Sequence, residues 1–451
     1  MQMLLEQSSS LANRFLKYGV AAILLGVPLY PKFPFLTIPG IQVAVRLEDF
    51  VILIVFLIWF ISVLPQIKKV LQDRITLSIL LFFAIGFVSL LFAIFISETV
   101  SLHIGALHWA RRVEYLSAFF IGLYSVKERE DVYFYIKILL IVVVLAFGYG
   151  VGQKYYNVPV ITTQNADYSR GIALRYRPGA HLVSTFAGHY DLASFLILLF
   201  PTLYLFLFSG NKTLKKLIPD TPTLVSRGVI FAVILMGLWL LTQTASRISL
   251  VSCLVAVVFA LFVMGRKKFI PVVLVITFVF ASFSMNLVDR YLNIIDVYAQ
   301  SELPEGTETP EPVPIVEDRS TSIRLNVEWP RAIRSLTKNP LTGTGYSSIT
   351  LATDNDYLRM LGETGILGFL SFFIMLGYIV LPIVKKFPDA KSILPEEHFR
   401  VGVIAAISGI MLNMVFIDIL EASKLAIMFW LMLGFAAGVS KNKNEIYSKA
   451  K

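Results

Sequence analysis

The stretch that decides the fold is residues 75–97, ITLSILLFFAIGFVSLLFAIFIS, in which no side chain carries a charge. A helix needs about 20 consecutive apolar residues to cross a bilayer, and this run supplies them. Similar runs recur along the chain: 56% of its 451 residues are hydrophobic and only 16% are charged. A soluble domain carries more charge and lacks repeated runs of this length. The sequence therefore predicts an all-α polytopic membrane protein.

The apolar runs predict about twelve transmembrane helices within one transmembrane domain that covers residues 1–451. Prolines interrupt the first of these helices, and Arg111 and Arg112 interrupt the fourth. The predicted spans are 18–38, 47–65, 75–97, 105–125, 132–153, 189–208, 225–243, 247–265, 269–287, 364–384, 401–418 and 422–439.

The cations of the connecting loops predict the orientation of the chain. They collect in every second connection and in the C-terminal tail, as the positive-inside rule expects of cytoplasmic segments. We therefore expect a multi-pass protein of the cytoplasmic (inner) membrane with both termini in the cytoplasm. The net charge of +10 is scattered rather than gathered on one face, which argues against nucleic acid as a partner. The cations are Lys68, Lys69, Arg74, Lys127, Arg129, Lys212, Lys215, Lys216, Arg266, Lys267, Lys268, Lys385, Lys386, Lys391, Lys441, Lys443, Lys449 and Lys451.

Two long polar segments then fall on the outer face: a loop at about 154–188 and a larger, partly helical loop at about 288–362. Within the larger loop, residues 301–318 (SELPEGTETPEPVPIVED) hold four prolines and six acidic residues without a lysine or arginine. A segment of this composition cannot bury a core. We expect it to be a flexible insertion remote from any chemistry.

Eight arginines lie in or beside the outer segments, on the side where membrane proteins normally avoid positive charge. Cations placed against that bias indicate an anionic ligand. These arginines are Arg170, Arg175, Arg177, Arg247, Arg319, Arg324, Arg331 and Arg334.

Arg247 opens an apolar helix within residues 244–250 (TASRISL). A charge at that depth is costly unless it is paired or lines a wet cavity, which indicates a functional site. The alternative is an interfacial arginine whose side chain extends to lipid headgroups.

The first outer segment precedes a helix that we expect to begin near residues 189–191. Arg170, Arg175 and Arg177 stand before it, and free N–H groups of a helix N-terminus beside guanidinium groups form a good anion site. His189 is a candidate general base or phosphate donor. The alternative is a solvated loop histidine.

In the second outer segment, Arg324, Arg331 and Arg334 recur at near-helical spacing. The spacing predicts an amphipathic helix at the membrane surface, ended by Asn339 and Pro340. Lipid headgroups are an alternative ligand for such a basic helix.

A glycine-rich turn at 343–345 follows that helix, and residues 354–357 (DNDY) come just before the tenth predicted span. No metal-ligand spacing accompanies these acids, so we predict no metal site.

Three blocks of this sequence resemble the O-antigen ligase and O-antigen polymerase family of bacterial membrane glycosyltransferases. They are residues 184–192 (STFAGHYDL), 244–250 (TASRISL) and 322–365, which ends in NDYLRMLGETG. The last block is the most specific, because it combines a helix arginine, a Pro-Leu-x-Gly-x-Gly turn and Asn-Asp-Tyr-Leu before Glu-x-Gly. The resemblance covers roughly residues 170–370.

The resemblance implies a polyprenyl-diphosphate-linked oligosaccharide donor, a glycan or lipid acceptor, and transfer at the outer face without a metal, nucleotide or other cofactor. Arg247 and Arg324 match two arginines that hold the diphosphate in the family. An arginine with a glycine eleven positions later, a pattern of the polymerase branch, occurs at Arg177 and again at Arg334. Asn355 and Tyr357 join the expected substrate-binding residues.

One departure from the family pattern bears on the activity. Ligases carry a histidine immediately before the Asn of the last block as the favoured catalytic base, whereas this chain has Asp354. A carboxylate can also accept an acceptor proton when desolvation raises its pKa. Asp354, Asp356 and His189 are therefore the candidate catalytic bases, and the substitution favours a polymerase over a ligase.

Two other classes of protein stay open. A transporter or flippase of an anionic lipid-linked glycan would use the arginines as a translocation path, but we expect charges near the midplane and an internal repeat in such a protein. An outer-face binding or assembly protein would use them to hold membrane lipid.

Overall fold

Helices form almost all of the regular structure in a computed structural model of the chain. The structure describes residues 2–31, 33–37, 44–161, 173–174, 176, 180–282, 322–350, 352–388 and 394–441. The predicted acidic insertion at 301–318 lies outside these residues, as do the candidate arginines Arg170, Arg175, Arg177 and Arg319.

The described helices and strands agree with an all-α class. The helices are α1 (Gln2–Leu29), α2 (Leu47–Val63), α3 (Ile67–Gln72), α4 (Arg74–Phe95), α5 (Leu102–Ser125), α6 (Arg129–Tyr156), α7 (His189–Leu207), α8 (Asn211–Leu217), α9 (Thr223–Gln243), α10 (Arg247–Val263), α11 (Ile270–Ser282), α12 (Trp329–Lys338), α13 (Asp356–Val384), α14 (Pro395–Asn413) and α15 (Ser423–Lys441). Two 3₁₀ turns (Leu64–Gln66 and Lys267–Phe269) and a π-helical turn (Arg324–Glu328) join them. The strands form two short antiparallel pairs, β1 (Pro34–Thr37) with β2 (Ala44–Arg46) and β3 (Val160–Ile161) with β4 (Ala173–Leu174).

Each of the twelve predicted spans overlaps a helix in the structure. By length and composition, seven helical stretches among the described residues could cross a membrane: Leu47–Gln72, Arg74–Phe95, Arg129–Tyr156, His189–Leu207, Thr223–Gln243, Asp356–Val384 and Ser423–Lys441. A multi-pass membrane protein is therefore supported, and the number twelve stays a prediction.

Several helix boundaries differ from the predicted spans; α13, for example, begins at Asp356 instead of residue 364. Helix α1 ends at Leu29, because Pro31 and Pro34 lack the N–H groups that would continue it. Helix α14 begins at Pro395 instead of residue 401. Its charged first turns are buried and paired, with Glu396 lying 3.1 Å from Arg129.

Large apolar side chains stay exposed on the outward faces of the peripheral helices. Ile54 and Ile61 on α2 and Phe278 on α11 have more than half of their surface accessible. An apolar rim of this extent suits a protein whose solvent is a bilayer. Helix α15, by contrast, is buried along its length at the centre of the bundle.

Three glycines allow α15 to pack closely along α5. A Cβ added at Gly434 would collide with the backbone oxygen of Phe119, and one added at Gly122 would collide with that of Leu431. Gly438 lies one helical turn beyond Gly434 and approaches the same face of α5. Small residues at such spacing let membrane helices approach closely.

We expect Gly434→Leu to lower the midpoint of thermal unfolding in detergent, because the added side chain forces α5 and α15 apart. Overpacking of this kind costs about 1–3 kcal/mol or more. The matched control is Gly148→Leu on α6, where a Cβ meets nothing within 4 Å. An unchanged midpoint for Gly434→Leu would show that the two helices can separate without cost.

Cations mark one end of the helix bundle. Helix α14 begins where α7 ends, and the rings of Phe206 and His398 stack there at 6.1 Å. Some cations of this end donate to carbonyl groups at helix ends: Arg227 donates to the Leu207 carbonyl at 2.8 Å. We call it the basic end; its cations include Arg74, Arg129, Arg227, Arg266, Lys385, Lys386, Arg400 and Lys441.

Candidate functional site

An ion pair between Arg324 and Asp354 joins three segments at the opposite end of the bundle. The Nε and Nη2 atoms of Arg324 donate to Oδ2 of Asp354 at 3.0 and 2.7 Å. Nη2 also donates to the hydroxyl of Tyr190 at 3.4 Å. The pair therefore connects the π-helical turn before α12, the loop before α13 and the first turn of α7. We call it the Arg324 ion pair.

The Arg324 ion pair is sheltered but not closed off from solvent. The side chain of Arg324 is 11% exposed and that of Asp354 is 26% exposed. Burial raises the pKa of Asp354, Asp418 adds to the rise, and the Arg324 guanidinium opposes it. Asp354 also has a φ of +48°, which Asp and Asn tolerate better than most residues.

Glu328 lies beside this pair, and the sequence did not lead us to predict it as a site residue. Burial and then the charge of Asp354 raise the pKa of Glu328 to about 7. Arg324 and Arg331 oppose this rise, and Asp418 adds to it. Within the described residues its buried Oε2 atom has no hydrogen-bond partner. Its position in the sequence, four residues after Arg324 on one helical segment, could have identified it.

The residues that follow Asp354 are engaged with the protein's own backbone. Asn355 caps α13, because its Oδ1 accepts from the Leu358 amide at 2.9 Å. Asp356 accepts from the amides of Ile419 and Leu420 at 2.7 and 3.2 Å. The hydroxyl of Tyr357 donates to the Met411 carbonyl at 2.7 Å. These contacts hold the start of α13 against the end of α14 and the loop after it.

Asp418 holds the loop that carries Asp354. It too was not predicted as a site residue from the sequence. It accepts from the amides of Thr353 and Asn355 at 2.8 and 3.1 Å, on both sides of Asp354. Arg359 in turn pairs with Asp418 at 3.0 Å and with Glu363 at 3.3 Å. The Asp354 carboxylate is therefore positioned by backbone contacts on either side of it.

Close backbone contacts explain why glycines occupy three positions of the last sequence block, residues 322–365. The turn at 343–345 lies against a kink in α13 at Gly365, where φ is +67°. The Gly345 amide donates to the Glu363 carbonyl at 2.8 Å. A Cβ at Gly343 would collide with the backbone of Glu363, and one at Gly365 would collide with that of Leu341. Only residues without a Cβ fit this backbone-to-backbone approach.

His189 stands at the first position of α7, as predicted. Its ring lies 4.0 Å from the ring of Tyr190 and 4.5 Å from that of His181, measured between centroids. Because Tyr190 contacts Arg324, the structure brings His189 to the neighbourhood of the Arg324 ion pair.

Arg247 begins α10 at the same end of the bundle. Ser249, in the first turn of α10, donates to Asn413 at the end of α14 at 3.2 Å. Asn413 donates to Ser194 in α7 at 2.8 Å. This buried chain of polar contacts holds the starts of α7 and α10 beside the end of α14, and the Asp356 amide donates to the Met414 carbonyl at 2.9 Å.

The remaining candidate arginines differ in exposure. Helix α12 ends at Lys338, before Asn339 and Pro340, as predicted. Arg334 is exposed on it, whereas Arg331 is half-buried. The buried Nη1 atom of Arg331 makes no hydrogen bond to the described part of the chain.

We expect Glu328→Gln to raise the midpoint of thermal unfolding more at pH 8 than at pH 5. The folded protein binds the Glu328 proton more tightly than the unfolded chain, so its contribution to stability falls as pH rises from about 4.5 through about 7. Glutamine removes this loss. Asp220→Asn, in an exposed loop, is the control and should leave the pH dependence unchanged. Equal shifts at both pH values for Glu328→Gln would contradict a raised pKa.

Residues 230–373 match the protein-family model described as O-Antigen ligase. The match holds α10, α11, α12 and parts of α9 and α13, and it includes Arg247, Arg324 and Asp354. It confirms the family resemblance of the second and third sequence blocks, while the first block, at 184–192, precedes it. No curated protein matches the chain.

Proposed function

We propose that this member of the O-antigen ligase family transfers a glycan from a polyprenyl-diphosphate-linked donor to a hydroxyl acceptor. The family match supports a membrane glycosyltransferase of the O-antigen ligase type. The Arg324 ion pair supports the proposed transfer chemistry, because it places a fixed cation and a carboxylate together in one sheltered site.

Arginines stabilise the leaving group in this proposal. Departure of the polyprenyl diphosphate develops negative charge, which preorganised guanidinium groups stabilise without reorganisation. Arg324 and Arg247 bind the diphosphate, and Arg331 adds a donor from its half-buried position on the same helical segment as Arg324. Arg334, being exposed, attracts the donor from a greater distance, and Arg177 is a further proposed substrate-binding residue.

Asp354 is the proposed base, and the donor itself prepares it. In the Arg324 ion pair, the guanidinium opposes the rise in the pKa of Asp354. A diphosphate that takes over Arg324 weakens this opposition, so the pKa of Asp354 rises and its carboxylate becomes a better proton acceptor.

Transfer takes place as a single displacement at the anomeric carbon of the donor. The acceptor oxygen forms a bond to the anomeric carbon as its proton moves to Asp354. The bond from that carbon to the diphosphate oxygen breaks, and the diphosphate leaves with the electron pair, which inverts the anomeric configuration. Asp356, whose carboxylate binds two backbone amides, acts as a positioning residue. His189 donates a hydrogen bond to donor or acceptor and is the alternative base, while Asn355 and Tyr357 shape the acceptor side.

In this proposal the lipid-linked donor reaches the site from within the membrane. Ile323, Leu325 and Val327 are exposed around Arg324, which suits contact with acyl or prenyl chains beside a charged head. The basic end lies away from the site, and with the positive-inside rule this supports our proposal that the site is on the outer face of the cytoplasmic membrane with both termini inside.

A polymerase is favoured over a ligase because Asp354 stands where ligases carry histidine. The ligase alternative fits the family description, with a lipid or protein as acceptor. Two acceptors distinguish them: a polymerase extends a second copy of the lipid-linked glycan, whereas a ligase needs a different acceptor molecule.

The test is transfer by the purified protein in detergent, with a polyprenyl-diphosphate-linked oligosaccharide and a chelator present. We expect new glycosidic bonds without any added protein, metal or nucleotide. Binding of donor without any new bond would favour the transporter or flippase class, and a need for metal would contradict the metal-independent mechanism.

A further inference from the structure

A large groove opens at the basic end, far from the Arg324 ion pair. The start of α4, the last turns of α13 and the end of α15 surround a volume of about 1200 Å³. This exceeds the roughly 300–1,000 Å³ that small-ligand pockets usually enclose. Nothing in the proposed transfer reaction uses it.

One side of the groove is positively charged. Arg74, Lys385, Lys386 and Lys441 line it, and Asp73 is the one acidic residue among its described lining. Lys386 donates to the Ser440 carbonyl at 3.1 Å. Within the described residues none of the four cations forms an ion pair with a carboxylate, so their charge is available to an anionic group.

An apolar wall on α13 forms another part of the lining. Ile374, Tyr378 and Leu381 line it and are exposed. Gly377 deepens the wall, because a Cβ added there would meet nothing within 4 Å. Because α13 is long and apolar enough to span a membrane, this wall runs toward the hydrocarbon region while the cations stand at the helix end.

We propose that this groove binds an anionic phospholipid of the leaflet at the basic end. Its phosphate group contacts Arg74 and Lys385, and its acyl chains lie along Ile374, Gly377 and Leu381. Basic pockets between membrane helices bind anionic headgroups, and each nearby cation strengthens the attraction. A neutral solute would leave the cations unpaired, and a soluble anion would not cover the apolar wall.

The test is retention of phosphatidylglycerol or phosphatidylcholine by the purified full-length protein, measured by native mass spectrometry. Two variants remove different halves of the site. Gly377→Leu fills the apolar wall, and the pair Arg74→Gln with Lys385→Gln removes two cations. Their controls are Gly228→Leu on α9, where a Cβ also meets open space, and Lys212→Gln with Lys215→Gln on α8.

We expect the wild type to retain phosphatidylglycerol in preference to phosphatidylcholine. Loss of two cations should weaken this retention by about tenfold or more, since each contributes separately near the surface. Gly377→Leu should weaken retention of both lipids, and the controls should match the wild type. If Gly377→Leu does not fold, the charge variant decides alone.

Three results would overturn the proposal: equal retention of both lipids by the wild type, wild-type retention in the charge variant, or a dimer mass that Gly377→Leu abolishes. The last result would mean that a second copy of the chain covers the groove. Because the groove is remote from the transfer site, none of these results bears on the proposed enzymatic activity.

Discussion

Arg324→Ala should lower the rate of glycan transfer by about 10²–10³-fold, the usual cost of removing one fixed donor to a developing negative charge. The substitution takes away both hydrogen bonds to Asp354 and the proposed contact with the leaving diphosphate. The measurement is the initial rate of transfer by purified protein at saturating donor. Arg324→Lys should recover part of the rate, because it keeps the charge but not the two-pronged geometry.

Arg334→Ala is the matched control for Arg324→Ala. It removes the same residue type ten positions further along, from an exposed site on α12. We expect a change of at most a few-fold, seen mainly in the donor KM at low salt. Equal losses for Arg324→Ala and Arg334→Ala would mean that both arginines act through general electrostatics rather than through a leaving-group site.

Asp354→Asn should lower kcat by about 10²–10⁴-fold, as expected for loss of a general base. Asparagine keeps the shape of the side chain and tolerates the positive φ of this position, so the loop should keep its conformation. The donor KM should not rise, because the variant frees Arg324 from its ion pair. Separate kcat and KM values are therefore the readout.

Asp220→Asn serves again as the control, since it makes the same chemical change on an exposed loop. A raised donor KM with unchanged kcat in Asp354→Asn would assign Asp354 to binding and would leave His189 as the base. His189→Asn then tests that alternative with the same two readouts.

Much of the helical architecture could be predicted from the sequence, because apolar runs of bilayer length have few other structures open to them. The start of α7 near His189 was predicted from the sequence, and the end of α12 before Asn339 followed from the proline after it. The buried charged turns of α14 could not be predicted this way. Their burial depends on Arg129, which lies far away in the chain and pairs with Glu396.

The candidate site was predicted in part. The sequence pointed to Arg324 and Asp354, but their contact joins residues thirty positions apart and depends on how the loop folds back. Asp418 escaped notice for the same reason, since its partners lie more than fifty residues before it. Asp356 and Asn355 share a motif with Asp354, yet only the folded backbone distinguishes their contacts from those of Asp354.

In the proposed mechanism, one protein both holds the polyprenyl diphosphate and forms the glycosidic bond. The most direct measurement is the amount of free polyprenyl diphosphate released per new glycosidic bond by purified protein in detergent. We predict a ratio of one, with both products lost together in Arg324→Ala. Release of diphosphate without a new bond, or no reaction at all from a folded protein with donor bound, would contradict this mechanism.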